Sequence, residues 1–349
     1  MKSRKPVYIL ISLFIASFVF IGMLAFLSKN TTEKKNGFNR HLLSSPIKVL
    51  KQMTFPVNIT WFIGIQNGKM YFQGKNYYEV ICTNRNLDSF NTIKLSIPPD
   101  QKLTSGFRMF LNGSHLYLSY RNIPSIIVYD LETGTSNNYK LPNYYSKDAN
   151  ISTDQFILRT KDPASQSHRF VKFDLREKDT MPEDHFSDNK IIGGFQTDGM
   201  LYFDTATKQA CYSYYYQNGF ICMDTNLNLN LKARTIDTIT HREIKVARVA
   251  SSLTMKQPPQ FVNLAGSVFS GKLFLQSMLK ADNEYELNFN DNSVVDIYSL
   301  KNGSYKGSFY IPAYKGKKTH QFQVIDQKLY ALYGKTVVVL YDLGFIAGL

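Results

Sequence analysis

Cysteine, tryptophan and histidine are scarce in this chain, and base outnumbers acid. Three cysteines in 349 residues exclude the disulfide framework that staples small secreted domains. The six histidines, His41, His115, His168, His185, His241 and His320, never pair at the short spacings of zinc sites. No Gly-x-Ser-x-Gly elbow, phosphate loop or dinucleotide fingerprint occurs, which removes the α/β-hydrolase, P-loop and Rossmann signatures. Asp boxes and Trp-Asp repeat endings are missing as well. Against 41 Lys and Arg stand 27 Asp and Glu, a formal net charge of +14. The excess is spread out, with Lys315, Lys317 and Lys318 its densest group in the second half. Such a surface suits anionic lipid or a polyanionic polymer, and it offers no specific nucleic-acid motif.

What the chain has in quantity is β-forming aromatic residue, 25 Phe and 23 Tyr, arranged in a recurring phrase. The clearest copy lies within residues 107–142. There Ser114-His115-Leu116-Tyr117-Leu118-Ser119-Tyr120 alternates like a strand, and Ile126-Ile127-Val128-Tyr129-Asp130-Leu131 follows as a second apolar run ending at Gly134. First halves recur at Met70-Tyr71-Phe72, Phe156-Ile157-Leu158, Met200-Leu201-Tyr202-Phe203, Leu273-Phe274-Leu275 and Leu329-Tyr330-Ala331. Their partners close at Asn84, Asp130, Asp174, Asp224, Ser299 and Asp342. The intervals are roughly 45 residues, lengthened before the fifth closing residue, which is the period of propeller blades and not of helical repeats.

A four-stranded sheet cannot bury both of its faces alone, whereas blades stacked around an axis cover one another. The predicted fold is therefore all-β: a six-bladed β-propeller of four-stranded antiparallel blades, strands A to D from the axis outward, the phrase supplying B and C. Blade three lacks a marked D strand, and the last unit stops after its C strand. Residues near Ile47 to Met53 are expected to supply the missing outer strand by pairing with Val337 to Tyr341, which removes a free edge.

Ahead of the propeller, residues 1–6 form a basic tail with Lys2, Arg4 and Lys5, and residues 7–27 are uncharged and apolar. At 1.5 Å per residue that run crosses a hydrocarbon core of about 30 Å. An uncleaved transmembrane anchor with a cytoplasmic N-terminus and an exported, periplasmic propeller is expected, a cleaved signal peptide being the alternative. Residues 28–45 read as a flexible tether and residues 46–349 as the propeller, a monomer by expectation. Asn-x-Ser/Thr sites at Asn30, Asn58, Asn112, Asn150 and Asn302 matter only in a eukaryotic secretory host.

Function is sought on the rim where the B–C and D–A connections emerge. The long connections are residues 205–218, 237–259 and 278–292, all read as B–C or D–A loops of blades four and five. The first holds Tyr212, Tyr214, Tyr215 and Tyr216, which either offer flat faces to a sugar or peptide or pack half against the blade. The second carries His241, Arg242, Lys245 and Arg248 at a spacing that suits a short basic helix, or a merely solvated one. The third has Asp282, Glu284, Glu286 and Asp291 without the spacing of a calcium loop. Asn58, Asn263 and His320 are the candidates for the central channel, and no metal or other cofactor is assigned. With a turn at Asn218-Gly219, Cys222 faces Tyr215 and Cys211 lies too far along to bridge, leaving all three cysteines free.

The unit Gly-x-Leu-Tyr-Phe, loop, apolar run, Tyr-Asp-Leu, turn resembles that of the TolB-like six-bladed β-propeller proteins of bacteria, over residues 46–343. The resemblance implies a fold and a binding role and transfers no active-site residue. Two functions are carried forward: an anchored binding or scaffold module for a protein or glycan, and a propeller-type hydrolase or lactonase with a metal in the channel.

Overall fold

The computed structural model of the chain describes all residues except 1–4, 30–34, 44–46, 102, 104–106, 121–122, 162–166, 178–181, 188–193, 242–243, 250–251 and 258. Helix α1 (Lys5–Lys29) takes up the apolar run. It is long and apolar enough to cross a membrane.

Strand β1 (Lys48–Thr54) follows, and then the blades in chain order. Blade one is β2 (Ile59–Gln66), β3 (Lys69–Gly74), β4 (Glu79–Asn84) and β5 (Phe90–Lys94). Blade two is β6 (Phe107–Asn112), β7 (His115–Tyr120), β8 (Ser125–Asp130) and β9 (Ser136–Lys140). Blade three is β10 (Tyr145–Asn150), β11 (Gln155–Lys161) and β12 (His168–Asp174). Blade four is β13 (Gly199–Asp204), β14 (Gln209–Tyr214), β15 (Phe220–Met223) and β16 (Leu229–Ala233). A separate hairpin, β17 (Val246–Val249) and β18 (Ser252–Met255), precedes blade five. Blade five is β19 (Asn263–Phe269), β20 (Lys272–Ser277), β21 (Asn292–Ser299) and β22 (Tyr305–Pro312), with a short helix α2 (Glu286–Asp291) between its second and third strands. Blade six is β23 (Gln321–Ile325), β24 (Lys328–Tyr333) and β25 (Val337–Asp342), and β1 completes it as the outer strand. The register Val49↔Tyr341, Gln52↔Val339 and Met53↔Val338 is the closure expected from the sequence.

Period-two alternation assigns each side chain of a B strand to one of two neighbours. In β7, Leu116 and Leu118 pack with blade one and Tyr117 with blade three. In β11, Phe156 and Leu158 face blade two while Ile157 faces blade four. In β14, Ala210 and Tyr212 face blade three and Cys211 faces blade five. Because both faces are buried, these strands read as continuous apolar runs. Blades five and six share a further cluster, and blade six meets blade one around Tyr330, Leu332 and Phe72, which seals the ring.

Several expectations are corrected. Gly199–Asp204 is the first strand of blade four and not its second. Residues 205–218 are consequently not one loop, since β14 runs through them. Cys222 pairs with Cys211, not with the position opposite Tyr215. The hairpin loop is wider than Asn218-Gly219 because the Tyr215 backbone is engaged elsewhere: its N–H donates to Asp198 O at 2.9 Å and its carbonyl accepts from Val262 N at 2.7 Å. All three thiols are buried and unbridged. Among the described residues blade three shows three strands and no fourth; Lys172 N donates to Pro182 O, and Val171 bridges Glu183, along its outer edge. The basic helix expected in residues 237–259 is the hairpin β17–β18, where Val246, Arg248 and Val249 pair with Met255, Leu253 and Ser252. A β-branched, alternating segment of this kind favours strand over helix.

Part of the segment expected to be a flexible tether is packed on the propeller. Gly37 to Leu43 lies docked on blade five: Phe38 is buried with Val262, Leu279 and Ala281, and Leu43 N donates to Ser308 O at 2.8 Å. Arg40, 4% exposed, donates through Nε to Asp296 Oδ1 at 2.8 Å, through Nη1 to Leu279 O at 3.0 Å, and pairs with Glu284. Burial alone would lower the Arg40 pKa, but Asp296 and Glu284 raise it above its ordinary value. Three of the four acidic residues of 278–292 are thus engaged. Glu284 and Asp282 hold Arg40 and the Gly37 N–H, and Glu286 pairs with Lys280 at 3.0 Å.

Candidate functional site: a basic aromatic cavity between blades three and four

On the face of the B–C and D–A connections, a cavity of about 590 Å³ opens between blades three and four, within the size range of small-ligand sites. Its rings are Phe170, Phe186, Tyr212, Tyr214 and Phe220. Arg159, His168, Lys232 and Arg234 also line it, and among the described residues no carboxylate does. Lys232 and Arg234 are exposed at the end of β16.

Arg159 is the fifth residue of β11, whose odd positions face blade four, and it is 4% exposed. Its guanidinium donates to Ser146 Oγ at 3.1 Å, Gly194 O at 3.3 Å and Thr197 Oγ1 at 2.9 Å, and lies 5.7 Å from the Tyr212 ring centroid. Every one of these partners is neutral. The fifth residue of the other B strands is Gln73, Ser119, Ser213, Gln276 or Leu332, each buried, so a charge stands at this position in blade three alone.

His168, at the start of β12, packs against Gly194, where a Cβ would fall 2.2 Å from Nδ1. Gly194 has φ +63°, so both its backbone and this ring demand glycine. Nδ1 of His168 is buried without a hydrogen-bond partner. Burial first, then the charges of Arg159 and Lys161, push its pKa down to about 4. The folded protein therefore binds fewer protons than the unfolded chain between about pH 6.5 and 4, and stability falls as pH drops through that window. Allowing for the part of the ring that water reaches, the loss is on the order of 1 kcal/mol. Urea midpoints measured at pH 7 and pH 5 should converge in His168→Gln; an equal pH dependence in variant and wild type would remove this assignment.

The tyrosine run meets different fates. Tyr212 is 1% exposed, its hydroxyl donating to Thr197 O at 2.8 Å, and its ring is the cavity floor, edge-on to Phe170 at 5.1 Å. Tyr214 is half-buried in the wall. Tyr215 sits under Lys147, whose ammonium is 5.0 Å from the ring and 3.0 Å from Asp198. Tyr216 is buried against Phe261. His241 and Lys245 are exposed; Arg248 lies in β17, and Arg242 lies outside the described residues. Arg159 and His168 belong to no motif in the sequence and were therefore not singled out there. The available signal was an Arg at the fifth position of an aligned B strand.

The central channel holds a second cavity, of about 550 Å³, lined by the first strands of blades one to four. Arg108 stacks on Trp61 at 4.3 Å, and Asp148 is the one carboxylate in the lining. Hard cations want several oxygen ligands, and among the described residues no group of three or more His, Cys, Asp or Glu could hold a metal ion. Of the channel candidates, Asn58 is half-buried beside Pro56 and Gly74. Asn263 is buried and donates to Tyr214 O at 3.0 Å, and His320 is exposed.

No protein-family model matches the sequence, and no curated protein matches it. Among solved structures, a member of the DUF4221 family from Bacteroides vulgatus is similar, with a TM-score of 0.52 at 14% identity over 88% of this chain and 98% of that one. BamB from Moraxella catarrhalis gives 0.43 at 10% identity over 85% and 98%. The Neurospora crassa Pan2 WD40 domain gives 0.44 at 8% over 87% and 97%. Identity this low establishes the fold alone; the TolB-like resemblance is thereby held to the propeller architecture it implied.

Proposed function

We propose that this chain is a membrane-anchored extracytoplasmic binding module, which captures a protein or glycan partner on the face bearing the B–C and D–A connections. The observation that carries it is the cavity between blades three and four, without a carboxylate among its described lining residues, walled by aromatic rings and fringed by exposed Lys232 and Arg234. Rigid blades hold these groups in place, and long connections collect at the same end. Lys2, Arg4 and Lys5 before the apolar helix support a cytoplasmic N-terminus and an exported propeller, and the repeat phrase supports a TolB-like affiliation. A photo-cross-linking residue placed at Lys232 in the full chain, in its native membrane, should yield adducts. One at Lys208, in the exposed A–B turn of blade four on the opposite face, should not. Adducts from Lys208 alone, or from neither position, would contradict the assignment.

A further inference from the structure

We propose that the cavity between blades three and four binds an anionic saccharide, with the charged group of the sugar on the Arg159 guanidinium and its rings against Phe186 and Tyr214. This rests on the binding-module reading and names its ligand class.

A buried cation without a counter-ion is costly, and proteins ordinarily pair it. Arg40 shows this chain doing so, with two carboxylates around one guanidinium. Arg159 is equally buried, yet all its hydrogen bonds go to neutral acceptors, and among the described residues no carboxylate pairs with it. Blade geometry does not require the charge, because glutamine, serine or leucine fills the same position elsewhere. The charge, with no carboxylate partner among the described residues, faces a cavity whose described lining contains no acid and to which Lys232 and Arg234 add two further cations, an environment complementary to an anion. Half-buried Phe186 and Tyr214 supply flat faces, and Gln217, Asn218 and Thr240 supply amides and a hydroxyl at the mouth. Rings with polar edges, flanked by neutral hydrogen-bonding groups, suit a hydroxylated ring more than an extended peptide.

The test is calorimetric titration of the full chain in detergent micelles with three tetrasaccharides: hyaluronan, carrying carboxylates; chondroitin sulfate, carrying carboxylates and sulfates; and neutral chitotetraose. At least one charged oligosaccharide should bind about tenfold more tightly than chitotetraose, and the pattern between the two charged probes identifies the anion. Arg159→Gln should abolish the difference while leaving the thermal midpoint unchanged or raised, since Gln is already accommodated in blades one and five. Equal binding of charged and neutral probes, no binding of any probe, or wild-type affinity in Arg159→Gln would overturn the proposal. So would a lowered midpoint in that variant, the mark of a merely structural arginine. Tetraglutamate binding as tightly as the sugars would overturn the saccharide class and leave the module reading intact. Loss of cross-linking at Lys232 would strike that reading instead.

Discussion

Arg40→Met should cost about 3 to 5 kcal/mol in equilibrium unfolding, the range seen when one partner of a buried ion pair is removed. Methionine keeps the apolar stem and deletes the charge. What remains is Asp296 at 3% and Glu284 at 6% exposure, two carboxylates that lose their shared cation inside the protein. Ser308 Oγ still donates to Asp296 at 2.5 Å, and Tyr310 OH to Glu284 at 2.5 Å, but neutral donors do not balance two negative charges. The variant has a second signature. Arg40 is the peg that holds the Gly37 to Leu43 segment to blade five, so chymotrypsin should cleave after Phe38, which is 8% exposed in the intact chain. Adding Asp296→Asn and Glu284→Gln should restore part of the loss by removing the stranded charges. A cost below about 1 kcal/mol with Phe38 still protected would show the segment to be held by its apolar contacts alone.

The contrast between what the sequence discloses and what it hides follows from the range of the interactions. Strand phrases are local: the alternation in His115–Tyr120 and the closing Asp130 specify a hairpin without reference to anything distant, and in five of the six blades the expected B strand begins opposite the closing residue marked for it. Closure by β1 was legible for a related reason, since a missing outer strand leaves one apolar edge to be matched. Blade four slipped by a strand because Gln209-Ala210-Cys211-Tyr212-Ser213-Tyr214 opens on small residues and runs into further tyrosines, which blurs strand into loop. The docked segment was hidden outright. Its polar sequence matches a linker, and its order comes from Asp296, 256 residues further along the chain. Arg159 falls between these cases. Its oddity is visible only after the six B strands are placed in register, and its meaning only after the described residues around the space opposite prove to include no acid.

Removing β1 should be more damaging than unpegging the segment before it. A chain beginning at Gly37 retains both, Arg40→Met weakens the first, and a chain beginning at Phe55 lacks both, so the difference between the last two isolates the closing strand. Residues of β1 are mostly exposed, and apolar burial is therefore not its main contribution. Its contribution is a ladder from Lys48↔Asp342 to Thr54↔Val337, several backbone hydrogen bonds worth roughly 1 kcal/mol each, which joins the start of the ring to its end. Without it β25 presents Val337 to Tyr341 along a free edge, a β-branched, uncharged template for pairing with other chains. The Phe55 chain is expected to run as aggregates in size-exclusion chromatography where the Gly37 chain runs as a monomer. A peptide of residues 47–54 added in trans should recover part of the monomer and restore slow amide exchange at Val339. If the Phe55 chain instead stays monomeric with the thermal midpoint of the Gly37 chain, the strand merely decorates a ring that blades one and six already seal through Phe72, Tyr330 and Leu332.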